Sequence, residues 1–145
     1  VKISSGYVVG GNGSAANIVG VLNGIFFNAA DTLKPTFSNF YKATITPANS
    51  EDTVAFVMDD PFQQYVVSSD AARTQAQFLE TYDMNSSAGS DTTGKSSSTL
   101  DTSETGANDK QFRLIRSAED PENEDITAQF FSGIVVSNLN SYNQV

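Results

Sequence analysis

Cysteine, histidine and tryptophan are all missing from this 145-residue chain. Without cysteine there is no disulfide framework, no zinc–thiolate site and no thiol nucleophile. Without histidine there is no Ser-His-Asp triad, no imidazole ligand for a metal and no side chain that titrates naturally near neutral pH. Positive charge is scarce as well. Eight Lys and Arg stand against 17 Asp and Glu, a net charge of -9, which is the wrong sign for gripping a phosphate backbone. No apolar run approaches the roughly 20 residues that a membrane-crossing helix requires. The first residues, Val1-Lys2-Ile3-Ser4-Ser5, hold no signal-peptide apolar core, and the absent initiator Met fits processing and trimming equally. These absences predict a chemically quiet acidic protein with no cofactor, no metal, no nucleic-acid partner and no membrane partner. They also predict that it is not an enzyme.

What is present is neutral and polar. Charged residues make up only 17% of the chain, so Ser, Thr, Asn and Gln carry solubility, and these suit turns and strand faces better than long helices. Short apolar segments rich in β-branched and aromatic residues recur at 18–27, 37–45, 54–58, 65–67, 112–115 and 130–139. Turn formers separate them: Gly10-Gly11-Asn12-Gly13, residues 28–31, 47–50, Asp59-Asp60-Pro61, and 119–125 around Pro121. That rhythm predicts an all-β fold, an antiparallel sandwich or barrel of jelly-roll type, with at most one short helix. Residues 70–84 permit either a helix, capped at Ser69 or Asp70, or a strand. Residues 1–16 read as an extended segment and 17–145 as one β domain. Within it, 84–110 stands out as an exposed loop: twelve of its 27 residues are Ser or Thr, with a short strand allowed at Ser98-Thr99-Leu100. A loop of that length, if ordered, is expected to be held by a neighbouring subunit.

Several motifs invite chemistry. Gly89-Ser90-Asp91-Thr92-Thr93-Gly94-Lys95-Ser96 fits the phosphate-loop pattern, but that loop works only between a buried strand and a helix, and neither flank reads that way. Glu119, Asp120, Glu122, Glu124 and Asp125 lack the spacing of a calcium loop and read instead as a solvated turn guarding a β edge. Asp59 and Asp60, were the strand to continue through them, point to opposite faces and make no glycosidase pair. The sequons Asn12-Gly13-Ser14 and Asn85-Ser86-Ser87 are expected by chance in so Asn- and Ser-rich a chain. Arg73, Arg113 and Arg116 are rare enough positive charges for each to make a defined contact, internally with Glu119 or Asp120 or externally with a partner. Phe26-Phe27 and Phe130-Phe131 are adjacent pairs, so one ring of each faces away from its neighbour, toward a second sheet or another subunit.

Read in order, four segments carry a family likeness. They are Ile18-Val19-Gly20-Val21-Leu22-Asn23-Gly24-Ile25-Phe26-Phe27, then Val54-Ala55-Phe56-Val57-Met58-Asp59-Asp60-Pro61, then Ala88-Gly89-Ser90-Asp91-Thr92-Thr93-Gly94, and finally Phe112-Arg113-Leu114-Ile115-Arg116 before an acidic Pro-Glu-Asn turn. The succession resembles the capsid decoration (cement) proteins of tailed phages of the marine and cyanophage type, over about 18–139. A polar step near the family's C-terminal strand is altered here, where the chain reads Val136-Ser137-Asn138-Leu139-Asn140, and relatives commonly lack a Lys at the position of Lys95. The resemblance implies a non-enzymatic virion protein on the outer surface of the phage head, bridging neighbouring major capsid proteins and itself forming a dimer or trimer at a symmetry axis. The expected contacts are Val1, Ile3 and Tyr7 in the N-terminal segment, Arg73, Lys95 and Leu100, and Arg113 and Arg116. A tail or fibre-associated domain and a secreted lectin- or adhesin-like carbohydrate-binding domain are the alternatives.

Overall fold

A computed structural model describes residues 1–11, 17–85, 87, 89–106, 109–122 and 125–142, without the side chains of 104–106. The all-β expectation holds. The strands are β1 Lys2–Ser4, β2 Tyr7–Val9, β3 Val21–Asn28, β4 Pro35–Ser38, β5 Val54–Met58, β6 Gln64–Ser68, β7 Thr81–Asn85, β8 Thr99–Gly106, β9 Phe112–Ser117 and β10 Ser132–Ser137. Helix among the described residues is limited to single 3₁₀ turns at Ala48–Ser50 and Gln75–Gln77. The strands form an antiparallel β1-β2 hairpin, a three-stranded sheet in the order β4-β3-β5 and a five-stranded sheet in the order β6-β10-β9-β7-β8.

The five-stranded sheet holds the core. Ile18, Tyr82, Leu100, Phe112, Leu114, Phe131 and Val135 pack into one buried cluster, with Tyr65, Val67, Phe78, Met84 and Ile126 closing around it. The sheet curls until the chain leaving β6 meets β8, through a bridge from Ser69 to Leu100 and a hydrogen bond from the Asp70 N–H to the Leu100 carbonyl. No closed barrel results. Side chains finish the seam: the Asp70 carboxylate accepts the Thr102 N–H, and the Arg73 guanidinium donates to the Thr102 carbonyl. Two side chains thus take the place of a missing strand partner, satisfying backbone groups that burial would otherwise leave unpaired.

Several expectations need correction. Residues 70–84 form no α-helix. The single 3₁₀ turn, fixed by reciprocal bonds between Thr74 and Gln77, gives way to β7, because Thr81 and Tyr82 are paired on both sides, with β8 and β9. The strand expected over 37–45 stops at Ser38, whose hydroxyl bonds the backbone of Phe40 and turns the chain. The described part of 1–16 is a hairpin rather than an extended segment. Ser5 and Gly6 both take positive φ (51° and 84°), the signature of a two-residue turn matched to strand twist. Of the loop foreseen over 84–110, β7 claims the first two residues and β8 takes 99–106, so that 86–98 connects these two strands.

The three-stranded sheet is joined to the larger sheet by short ties. Ile18, the last core residue before β3, is bridged to Asn140. The Tyr65 hydroxyl donates to the Met58 carbonyl and the Tyr142 hydroxyl to the Asp59 carboxylate. Gly94 of the β7–β8 connection lies so close to Phe40 that a Cβ there would stand 2.3 Å from its ring.

Candidate functional site

The three-stranded sheet has two unlike faces. On the inner face Leu22, Ile25 and Ala55 floor a groove of about 770 Å³, roofed by Val1, Tyr7 and other hairpin residues. Ile25 is buried there, and the hairpin is anchored by hydrogen bonds of the Val1 backbone with Val19 and Gly20. The outer face is apolar and open. Cross-strand register sets Phe37 and Val54 on either side of Phe26, and Phe56 opposite Gly24. Because Gly24 has no side chain, Phe37 leans across β3 and meets Phe56 with ring centroids 5.9 Å apart, within the range of favourable aromatic pairs. Met58 continues the face along β5. All five of these side chains are exposed, from 38% at Phe26 and Met58 to 60% at Phe37.

Other apolar groups are exposed elsewhere: Ile3, Tyr7 and Val8 on the hairpin, and Phe62 and Val66 along the β5–β6 turn and the β6 edge. Exposed apolar side chains therefore occur on several elements, and Tyr7 and Val8 among them also line the groove. Among the described residues no group of three or more Asp and Glu is placed to hold a metal ion. No described helix is long and apolar enough to cross a membrane.

The foreseen contact residues scatter. Val1 and Tyr7 both line the groove, and Ile3 is exposed on the same hairpin. Lys95 is exposed in the β7–β8 connection, its carbonyl accepting the Ser90 N–H. Arg116 pairs with Glu119 at 2.8 Å on the surface, the internal partner foreseen for it. Arg113 bridges the Leu79 carbonyl and the Asn138 side chain. Leu100 lies in the core and Arg73 is only 4% exposed, so neither belongs to the surface of the folded chain. The Arg73 guanidinium instead stacks over Tyr82, 4.5 Å from the ring centroid. Burial lowers its pKa, offset in part by Tyr82, Asp70, Glu80 and Asp101. Burial and, to a lesser degree, Glu80 push the Tyr82 phenol up to about 12, against a lowering by Arg73.

The phosphate-loop pattern proves to be a hairpin connection. Ser90 and Lys95 close it through the Ser90 N–H, Gly94 donates back to Ser90, and strand β8 rather than a helix follows. Its glycines have local causes: a Cβ at Gly89 would stand 2.5 Å from the Lys95 carbonyl oxygen, and Gly94 has φ +69°. Asp125 caps Thr127 through its backbone and hydroxyl, which hold the carboxyl below its usual range. The first sequon, and Ser86, Ala88 and Glu124 of the other motifs, lie outside the described residues. Sequence reasoning reached Phe26 as one of a pair with an outward ring, but not Phe37, Val54, Phe56 and Met58 as one surface. The available signal was the absence of any charged residue from β3, β4 and β5. No protein-family model, curated protein or solved structure matches this chain.

Proposed function

We propose that this protein is a non-enzymatic structural component of a tailed-phage virion, decorating the outside of the head and stabilising it by bridging neighbouring major capsid subunits. The observation that carries this reading is that exposed apolar side chains lie on several elements, among them the hairpin, the outer face of β4-β3-β5 and the β6 edge. A bridging protein needs at least two contact surfaces on different sides, and exposed apolar groups on several elements supply candidates for them. The resemblance supplies the identity of the assembly. Two of the segments that carry it, 18–27 and 54–61, contain the paired strands β3 and β5, and a third, 88–94, ends at the glycine seated on Phe40. In this reading a rigid β body spans a seam between capsomers, and repetition over the shell multiplies individually modest contacts through avidity.

The test is to add the purified chain to phage heads that lack it and measure occupancy and resistance of the heads to heating. Saturable binding with a raised head-disruption temperature is the expected result. Removal of residues 1–11, which carry the exposed Ile3 and Tyr7, is expected to lower occupancy. Absence of binding to heads, with binding to tails or fibres, overturns the head assignment.

A further inference from the structure

We propose that the groove between the N-terminal hairpin and the inner face of the β4-β3-β5 sheet is a binding site for a neutral oligosaccharide. Its volume of about 770 Å³ lies within the roughly 300–1,000 Å³ of small-molecule sites. The floor is apolar, and the polar side chains that line the groove are few: Tyr7 from the hairpin, Tyr41 from the chain after β4, and Asp52 and Thr53 from the approach to β5.

Two observations point to a ligand there. The first is the bonding of the tyrosines. Of the five in the chain, Tyr65, Tyr82 and Tyr142 each donate the hydroxyl to an acceptor within the fold. Tyr7 and Tyr41 have no such acceptor among the described residues, and these are the two that line the groove. They are 64% and 57% exposed, so each offers an apolar ring and a polar tip at once. The second is Gly10. It has no positive φ, and a Cβ added there would meet nothing within 4 Å. Neither turn geometry nor a crowding neighbour calls for glycine; its missing side chain keeps that part of the groove open and the backbone within a ligand's reach.

Chemistry selects the occupant. A sugar ring has apolar C–H faces and a rim of hydroxyls that both donate and accept, matching a groove of aliphatic floor, aromatic rings, hydroxyls and one carboxylate. Asp52 is the one lining residue with a charged side chain, and a carboxylate accepts hydroxyl protons in the stronger, charge-assisted kind of bond. No Lys or Arg lines the groove among the described residues, and the chain carries a net charge of -9, so acidic sugars and phosphorylated ligands are repelled. Lys42, beside Tyr41, sets its ammonium over the Phe40 ring, 5.1 Å from the centroid. The proposal stands on the groove alone and holds whether or not the chain decorates heads.

Amide shifts in ¹H–¹⁵N NMR spectra test this. The probes are maltotriose, cellotriose and chitotriose, which are uncharged, with trigalacturonate and butyltrimethylammonium as charged counterparts. At least one neutral saccharide is expected to shift the amides of Gly10, Tyr41 and Ala55 saturably, with a dissociation constant of about 1 mM or tighter. Tyr41→Ala is expected to weaken that binding at least about tenfold, through loss of a ring face and a hydroxyl. Tyr41→Phe, which keeps the ring, is expected to weaken it about two- to tenfold. Gly10→Val is expected to weaken it by occupying the open space, and Phe62→Ala, outside the groove, to leave it unchanged. Circular dichroism checks that each variant remains folded. Absence of groove shifts with all three neutral saccharides overturns the proposal. So does a groove that takes trigalacturonate or the ammonium in preference, or saccharide binding that Tyr41→Ala and Gly10→Val leave unchanged. Head occupancy is measured separately: a chain that binds saccharide but no head upholds the groove and refutes the head assignment, and one that decorates heads but binds no saccharide does the reverse.

Discussion

Gly20 shows how one residue can hold two strands at their working distance. A Cβ at this position would lie 2.0 Å from the Met58 carbonyl oxygen, and the obstacle is backbone that cannot swing aside as a side chain can. Gly20→Ala is expected to destabilise the fold by about 2 kcal/mol or more, read as a lower urea midpoint. Tyr82 makes a different kind of commitment. It is fully buried, its hydroxyl donates to the Gln77 carbonyl, and its pKa is raised from 10.0 to about 12. Below pH 10 both folded and unfolded chains keep the proton and the group contributes no pH dependence. Between about 10 and about 12 the unfolded chain releases it first, so stability falls as pH rises through that window. Tyr65, raised by burial and by Asp60 and Asp59, acts in the same direction. Ultraviolet titration is expected to show a phenol ionising near pH 12 that disappears in Tyr82→Phe; a Tyr82→Phe chain with an unchanged high-pH transition contradicts this.

Among the elements, the N-terminal hairpin and the β7–β8 connection depend on glycine in different ways. In the hairpin, Gly6 takes φ 84° and a Cβ added there would meet nothing within 4 Å, so the constraint is conformational alone. Gly6→Ala is expected to cost about 1 kcal/mol. Amide exchange should quicken over residues 2–9 while β9 and β10 keep their protection. In the connection, Gly94 combines φ +69° with the press of Phe40, and Gly94→Ala is expected to cost more, about 1–3 kcal/mol. Lys95, by contrast, is exposed and offers only its backbone to the turn. Lys95→Ala should leave unfolding free energy within about 0.5 kcal/mol, and a phosphate or nucleotide titration should give no heat. A motif match thus dissolves into turn geometry once the elements on either side are known.

At the scale of the whole molecule, the main buried cluster and the open aromatic face lie on different sheets. The core cluster draws its strand residues from the five-stranded sheet and includes Ile18 from the chain entering β3. Leu114 is one of its fully buried members, packed so closely on Gly133 that a Cβ there would stand 2.6 Å from the leucine Cδ1. Leu114→Ala is expected to cost about 2–5 kcal/mol, measured by urea unfolding, whereas Val66→Ala, at a position 67% exposed, should cost under about 0.5 kcal/mol. The all-β class and most strands were legible in sequence, because β-branched and aromatic runs between turn formers have no comparably good alternative. The positions of β3, β5, β6, β9 and β10 follow from those runs directly. The fate of residues 70–84 was not legible, since local propensity there is balanced and the pairing of Thr81 and Tyr82 with two neighbours decides it. Nor was the burial of Arg73 and Leu100. Both stand in polar stretches, and only the curling of the sheet that brings Ser69 against Leu100 encloses them. The sequence by itself determined the strand class, the absence of thiol and imidazole chemistry, and the acidic balance, all properties of residues and their local spacing. Tertiary structure alone decided which aromatics share an open face, because Phe26, Phe37 and Phe56 become neighbours only through the register of three strands drawn from distant parts of the chain.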